Sequence, residues 1–222
     1  MGPKTDRRHL QGEESRRRIL DAVIQIAAER GYEGTTLTLV STRSGLPVSS
    51  IYWHFDNKDD MIAAVIRRSH DEWRDGLAPL PEIPPEASRR ELLAAILHQE
   101  VGELMQHPEF LRFGLMLALE QRPEQPAARA LFLEMRAESL ARIVDGLELV
   151  LDLEHIGVEG LASELARFIM ASVDGLFIAS RASDAPLDPG PHLELLAAAV
   201  DLLIGAHHPS AADQPSHRKD DR

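Results

Sequence analysis

Cysteine is absent from the sequence, which excludes disulfide staples and cysteine-based zinc sites. Long apolar runs are missing too: the most apolar stretch, LELLAAAVDLLIGA, is short and broken by Asp201, so it does not span a bilayer. The opening residues, MGPKTDRRHLQGEESRRR, are basic but have no apolar segment ahead of a small-residue cleavage site, and do not read as a secretory signal. A soluble, cytoplasmic protein with no membrane partner is expected. Aromatic residues make up only 5% of the chain, and nowhere do Val, Ile and aromatics alternate with polar residues over a strand's length.

Catalytic signatures are lacking as well. There is no His-Glu-x-x-His run, phosphate loop, dinucleotide fingerprint or Ser-centred nucleophile elbow. His98 and Glu100 stand two apart and diverge on a helix, and His207 and His208 fall in a polar tail. Neither an enzyme nor a cofactor or metal site is expected. Nor is there an excess of positive charge, since the formal net charge is −12. Its distribution matters more than its sum. Residues 1–60 hold nine Lys/Arg and nine Asp/Glu, so all of the excess acid lies in residues 61–222. A local basic edge on an acidic body is compatible with a small dimeric DNA reader.

What remains is a chain of 222 residues, 44% hydrophobic and rich in Leu, Ala, Glu and Arg. That is enough for one or two packed domains, and an all-α fold of about nine helices is expected. Residues 1–13 show no apolar period and read as a disordered arm. The first helix, about 14–30, carries Leu20, Val23, Ile24 and Ala27 as one stripe, with Gly31 suited to its end. Thr36 caps a second helix, Gly45 marks a sharp turn, and Pro47 opens a third helix. There Ile51 and Phe55 share the inward face. Ser49, Ser50 and Trp53 point outward, flanked by Tyr52 and His54. A merely solvated helix would not expose Trp, Tyr and His together. The alternative for Trp53 is packing on a neighbouring domain. Two short helices joined by a tight turn, the second with such a face, have the layout of a helix-turn-helix reading head.

A fourth helix, about 58–76, links this head, taken as residues 14–57, to a helical body over 58–206. The joint LAPLPEIPP precedes a fifth helix over about 87–106. The sixth, 109–121, is apolar nearly all round and so expected to be buried on several sides. The seventh runs over about 127–153, the eighth 161–182 and the ninth 192–206. The last two are amphipathic, and Ala162, Ala166, Ala171, Ser172, Gly175 and Ala179 let a second helix approach the eighth closely. They are expected to pair with their copies as half of a four-helix homodimer interface. Residues 207–222 are polar and read as a disordered tail.

At TTLTLVSTRSGLPVSSIYWHFDNKDDMIAAVI the sequence resembles the TetR family of bacterial transcriptional regulators. The resemblance covers residues 14–66, and Ser172-Val173-Asp174-Gly175-Leu176 looks like a segment of the family's dimerisation helix. It places Gly45 at the family's turn glycine, Tyr52 and His54 at its aromatic phosphate contacts, and Lys58 at a phosphate-holding lysine. Pro47 stands where many members have a capping Ser or Thr, Val48 replaces a frequent basic residue and is expected nearer the inner face than the groove, and Ser41 replaces a usual alanine. The resemblance implies an N-terminal three-helix DNA-binding domain and a C-terminal helical ligand-binding and dimerisation domain. It also implies a homodimer on palindromic double-stranded DNA, usually a repressor released by a small-molecule effector.

On this reading Ser49, Ser50 and Trp53 face base edges, with Thr38 and Arg43 assisting, and Pro47 lies at the same edge. Tyr52, His54, Lys58 and the Thr36 region fix position on phosphates. Candidate effector contacts in the apolar helices are Met105, Phe113, Met116, Phe132 and Met135, with Phe168 and Phe177 further on; each also suits plain core. The polar residues His98, Glu120, Arg136 and Asp174 in those helices are candidates for orienting a ligand. The alternative function is a helical ligand-binding or adaptor dimer without operator binding, which the acidic balance and Val48 favour.

Overall fold

The computed structural model describes residues 3–79, 86–120, 126–151 and 160–207, with side chains described from His9 and not for 149–151. Among the described residues there are nine helices and no strand: α1 (Pro3–Gly34), α2 (Leu37–Ser44), α3 (Val48–His54), α4 (Lys58–Gly76), α5 (Arg89–Gln106), α6 (Glu109–Leu119), α7 (Ala127–Leu151), α8 (Leu161–Arg181) and α9 (Gly190–His207). No helix among them is long and apolar enough to cross a membrane.

Two boundaries differ from the sequence expectation. The arm expected over residues 1–13 is helical from Pro3, so α1 begins well before Glu14. Proline suits a first helical turn. Further along, Ser15 donates to the Gln11 carbonyl (2.8 Å) and Arg17 pairs with Glu14 (2.7 Å). The stretch also runs near α3: a Cβ on Gly12 would lie 3.7 Å from the Trp53 ring. An apolar-period argument sees neither the local pairs nor the distant tryptophan. At its other end α1 is interrupted at Gly31, whose φ of 69° is open to glycine at little cost.

The second difference concerns the units. The chain forms two compact units, Met1–Leu77 with Glu103–Ala137, and Ala78–Gly102 with Glu138–Arg222. They do not divide at the expected 57/58, because α4, α6 and the first part of α7 pack with the reading head. Ser69 on α4 explains part of this: its hydroxyl donates to the His107 carbonyl (2.8 Å) and accepts the Phe110 N–H (2.9 Å) at the start of α6. Around it His70, Trp73 and Phe110 bring their rings within 4.9–6.3 Å of one another, and Phe132 of α7 stands 5.3 Å from Phe110. The Asp59 carboxylate accepts the Ala128 N–H at 3.3 Å, at the start of α7, where the helix dipole favours an anion.

The core of the first unit is built from Ile19, Leu20, Val23 and Ile26 of α1, Val40, Ile51, and Met61, Ile62, Val65 and Ile66 of α4, all essentially without solvent contact. Helix α6 is less enclosed than expected: Phe113 and Leu117 are buried, but Leu119 at its end is exposed. Gly114 is required there, since a Cβ on it would collide with the Phe132 ring. In the second unit Arg89 of α5 donates to the Asp201 carboxylate of α9 at 2.6 Å, and α8 and α9 share the core formed by Leu161, Leu165, Ile169, Leu176, Leu193, Leu196, Val200 and Ile204. His207 closes α9; the tail expected beyond it, 208–222, lies outside the described residues.

Candidate nucleic-acid interface

The interface is organised by the turn between α2 and α3. The Thr36 hydroxyl accepts the Leu39 N–H at 3.3 Å and so caps α2. Val40 anchors that helix in the core. Gly45 then takes the left-handed conformation (φ 67°, ψ 22°), its N–H donating to the Ser41 carbonyl, while the Ser41 hydroxyl donates to the Leu46 carbonyl at 2.7 Å. Arg18 of α1 donates to the Ser44 carbonyl, which ties the turn to α1. Pro47, in extended conformation, leads into α3 without capping it through a side chain.

Helix α3 is only two turns long, so its two faces are easily separated. Ile51 and Phe55 fall inward and are buried. On the opposite side Ser49 is open, Tyr52 is 54% exposed and Trp53 is 77% exposed. Ser50 and His54 are half-buried at the edges. Val48, expected nearer the inner face, is instead exposed at the first turn, where α3 begins. Trp53 stays open to solvent rather than packed away; its ring meets His54 edge-on at 4.7 Å and passes near Gly12 of α1.

Beside this face lies a cleft of about 350 Å³, bordered by Arg16, Tyr52, Trp53, His54, Arg67 and Leu131. The Arg16 guanidinium sits 5.4 Å over the Phe55 ring. Burial lowers the proton affinity of His54, and the nearby Arg16 charge lowers it further. The arginine cluster 16–18 is visible in the sequence, but its partners 26 to 39 positions along the chain are not.

The remaining expected DNA contacts are arranged as follows. Thr36 and Thr38 are exposed at the start of α2, and Pro47 is exposed beside Ser49. Arg43 projects from the last turn of α2 but is engaged: its two terminal nitrogens meet the two Glu29 oxygens at 2.9 and 3.0 Å. Lys58 donates to the Tyr32 carbonyl and to Glu33, each at 3.2 Å, and its ammonium lies 4.0 Å over the Tyr32 ring.

The expected effector residues fall in both units. In the first, Phe113 and Phe132 are fully buried and Met135 nearly so, whereas Met105 and Met116 are half-buried. Arg136 lies 5.6 Å over the Phe132 ring, and Glu120 is exposed at the end of α6. In the second, Phe177 is buried, Asp174 is half-buried and Phe168 is exposed. His98 is exposed and 3.3 Å from Glu194. Among the described residues no group of three or more His, Asp or Glu is placed to hold a metal ion.

Residues 19–65, which hold this turn and both flanking helices, match the family model for bacterial regulatory proteins of the tetR family. This segment of the chain resembles the DNA-binding part of the tetR family. Over 95 residues it is 30% identical to the HTH-type transcriptional regulator TtgR of Pseudomonas putida, an alignment that takes in 43% of this chain and 45% of TtgR. The match thus spans less than half the length of this curated relative. Among solved structures, a transcriptional regulator from Rhodococcus sp. Rha1 is 26% identical, with a TM-score of 0.57 over 86% of this chain and 94% of that one. The TetR-family regulator PfmR from Thermus thermophilus shares the fold alone, at 17% identity and a TM-score of 0.60 over 84% of this chain and 97% of that one.

Proposed function

We propose that this protein belongs to the TetR family and is a cytoplasmic, sequence-specific DNA-binding transcriptional regulator. It acts as a homodimer on a palindromic operator, as a repressor that a small molecule releases. The observation that carries the reading is α3: a two-turn helix anchored by Ile51 and Phe55, whose opposite face leaves Ser49, Tyr52 and Trp53 to solvent. A tryptophan that open on a short helix loses little by meeting a nucleic-acid groove and costs apolar exposure when it does not.

The dimer is supported by the second unit. Along α8, Phe168, Ala171, Gly175 and Ile178 follow one another at helical spacing and are all exposed; along α9, Leu195, Leu202 and Leu203 are exposed. Such apolar surface on consecutive amphipathic helices fits a two-fold helical interface. Two heads held about 34–36 Å apart then meet successive major grooves. Release follows if an effector binds better to a state with another spacing. Within the first unit, the half-buried Met105, Met116 and Arg136 are better placed to meet a ligand than Phe113 or Phe132, which are core.

The test is selection of bound duplexes from a random DNA pool with the purified full chain. Enrichment of an inverted repeat supports the reading; failure to enrich any sequence leaves the adaptor alternative.

A further inference from the structure

The two cations expected to reach DNA are both already occupied by carboxylates of α1. Arg43 lays its planar fork on Glu29 with both nitrogens, and the Gln25 oxygen stands 3.4 Å away as a third acceptor. Lys58 opens α4, a position at which the helix dipole disfavours a cation. Glu33 and the Tyr32 carbonyl offset that. Of the neighbouring arginines of α1, Arg16 rests on an aromatic ring and Arg18 on a backbone carbonyl, while Arg17 pairs with Glu14 one turn before it.

A planar carboxylate accepting two guanidinium N–H bonds reproduces the contact a phosphate would make. Both acids are at the surface, with the Glu29 side chain 50% and the Glu33 side chain 73% exposed. Exposed pairs of this kind are weak enough to be exchanged for another anion. Glu29 stays ionised, since the Arg43 hydrogen bonds hold its carboxyl below the usual range. An approaching duplex therefore has to displace a fixed negative charge and then lie beside it.

We propose that Glu29 and Glu33 are built-in stand-ins for DNA phosphate, holding Arg43 and Lys58 in the free protein and restraining its affinity for DNA of any sequence. This rests on the DNA-binding reading above. Phosphate contacts carry affinity without sequence information. A device that taxes them alone lowers binding to the bulk of DNA and leaves discrimination to Ser49, Ser50 and Trp53. It accounts for a reading head with no net positive charge: acids at 29 and 33 are part of the interface rather than bystanders to it.

The experiment is a gel-shift titration of the full chain on a random-sequence duplex over a series of salt concentrations. It compares wild type, Glu29→Gln, Glu33→Gln, Arg43→Ala and Glu29→Gln combined with Arg43→Ala. Each Gln variant is expected to bind about two- to fivefold more tightly. Arg43→Ala, which removes one phosphate contact, is expected to flatten the slope of log affinity against log salt by about 0.9. In the Arg43→Ala background the gain from Glu29→Gln disappears. Unchanged or weaker binding by the Gln variants overturns the inference, as does a gain that survives without Arg43, which would trace to net charge. A wild type that binds no duplex at low salt overturns the DNA-binding reading with it, whereas a wild type that binds beside variants that do not tighten overturns the inference alone.

Discussion

His54 shows how one buried edge of a side chain sets a pH response. Its proton affinity is lowered first by burial and then by Arg16, so the ring is neutral at pH 7. The unfolded chain binds that proton more readily, and the fold therefore loses stability as pH falls below the ordinary value of 6.5. A phosphate beside the ring would have the opposite effect, so the proposed DNA binding would take up a proton. Affinity is expected to rise as pH drops from 7.5 toward 6, and His54→Gln to flatten that rise in a binding titration. Gly114 is the second residue whose role is set by a single neighbour. With the Phe132 ring in the way of any added Cβ, Gly114→Ala is expected to cost about 1–3 kcal/mol in urea unfolding, as overpacked cores do.

At the scale of elements, α4 is where the reading head and the following helices become one unit. Its Ser69 hydroxyl serves two backbone groups at once. Ser69→Ala leaves both without that partner and is expected to destabilise the first unit by about 1–3 kcal/mol, measurable as a lower urea midpoint. Most elements are legible in the sequence because their ends carry chemistry: Thr36 as a cap, Gly45 as a turn, Pro47 ahead of α3, and the proline-rich joint before α5. The outward set on α3 is legible from the i, i+4 pairing of Ile51 and Phe55 alone. Contacts between residues far apart in the chain are not. Nothing in the spacing tells that Arg43 lies on Glu29, that Lys58 lies on Glu33, or that Gly12 passes beside Trp53, and so the free cations expected at 43 and 58 are paired ones. The extent of the first unit is hidden for the same reason, since it depends on Ser69 reaching His107.

For the whole molecule, the proposed function needs two heads, and the exposed leucines of α9 are the place to remove the second. Leu195 is 71% and Leu202 72% exposed, so neither contributes to the protein's own core. Replacing both by Glu is expected to leave the fold intact, to give a monomer in sedimentation, and to lower operator affinity by on the order of 10²–10⁴, the loss expected when two linked contacts become one. A variant that remains dimeric would assign the interface to other surfaces.

The chain has two tryptophans, and they sit at opposite extremes: Trp53 is 77% exposed on the outward face of α3, and Trp73 is 7% exposed beside His70 and Phe110. The intrinsic emission of the protein is therefore two signals from two places. Trp73 emits from an apolar surrounding and shifts only when the first unit melts; Trp53 emits from water and is open to quenching by bases stacked near it. With Trp73→Phe as background, a single unlabelled fluorophore would report groove occupancy, and with Trp53→Phe the same instrument would report unfolding.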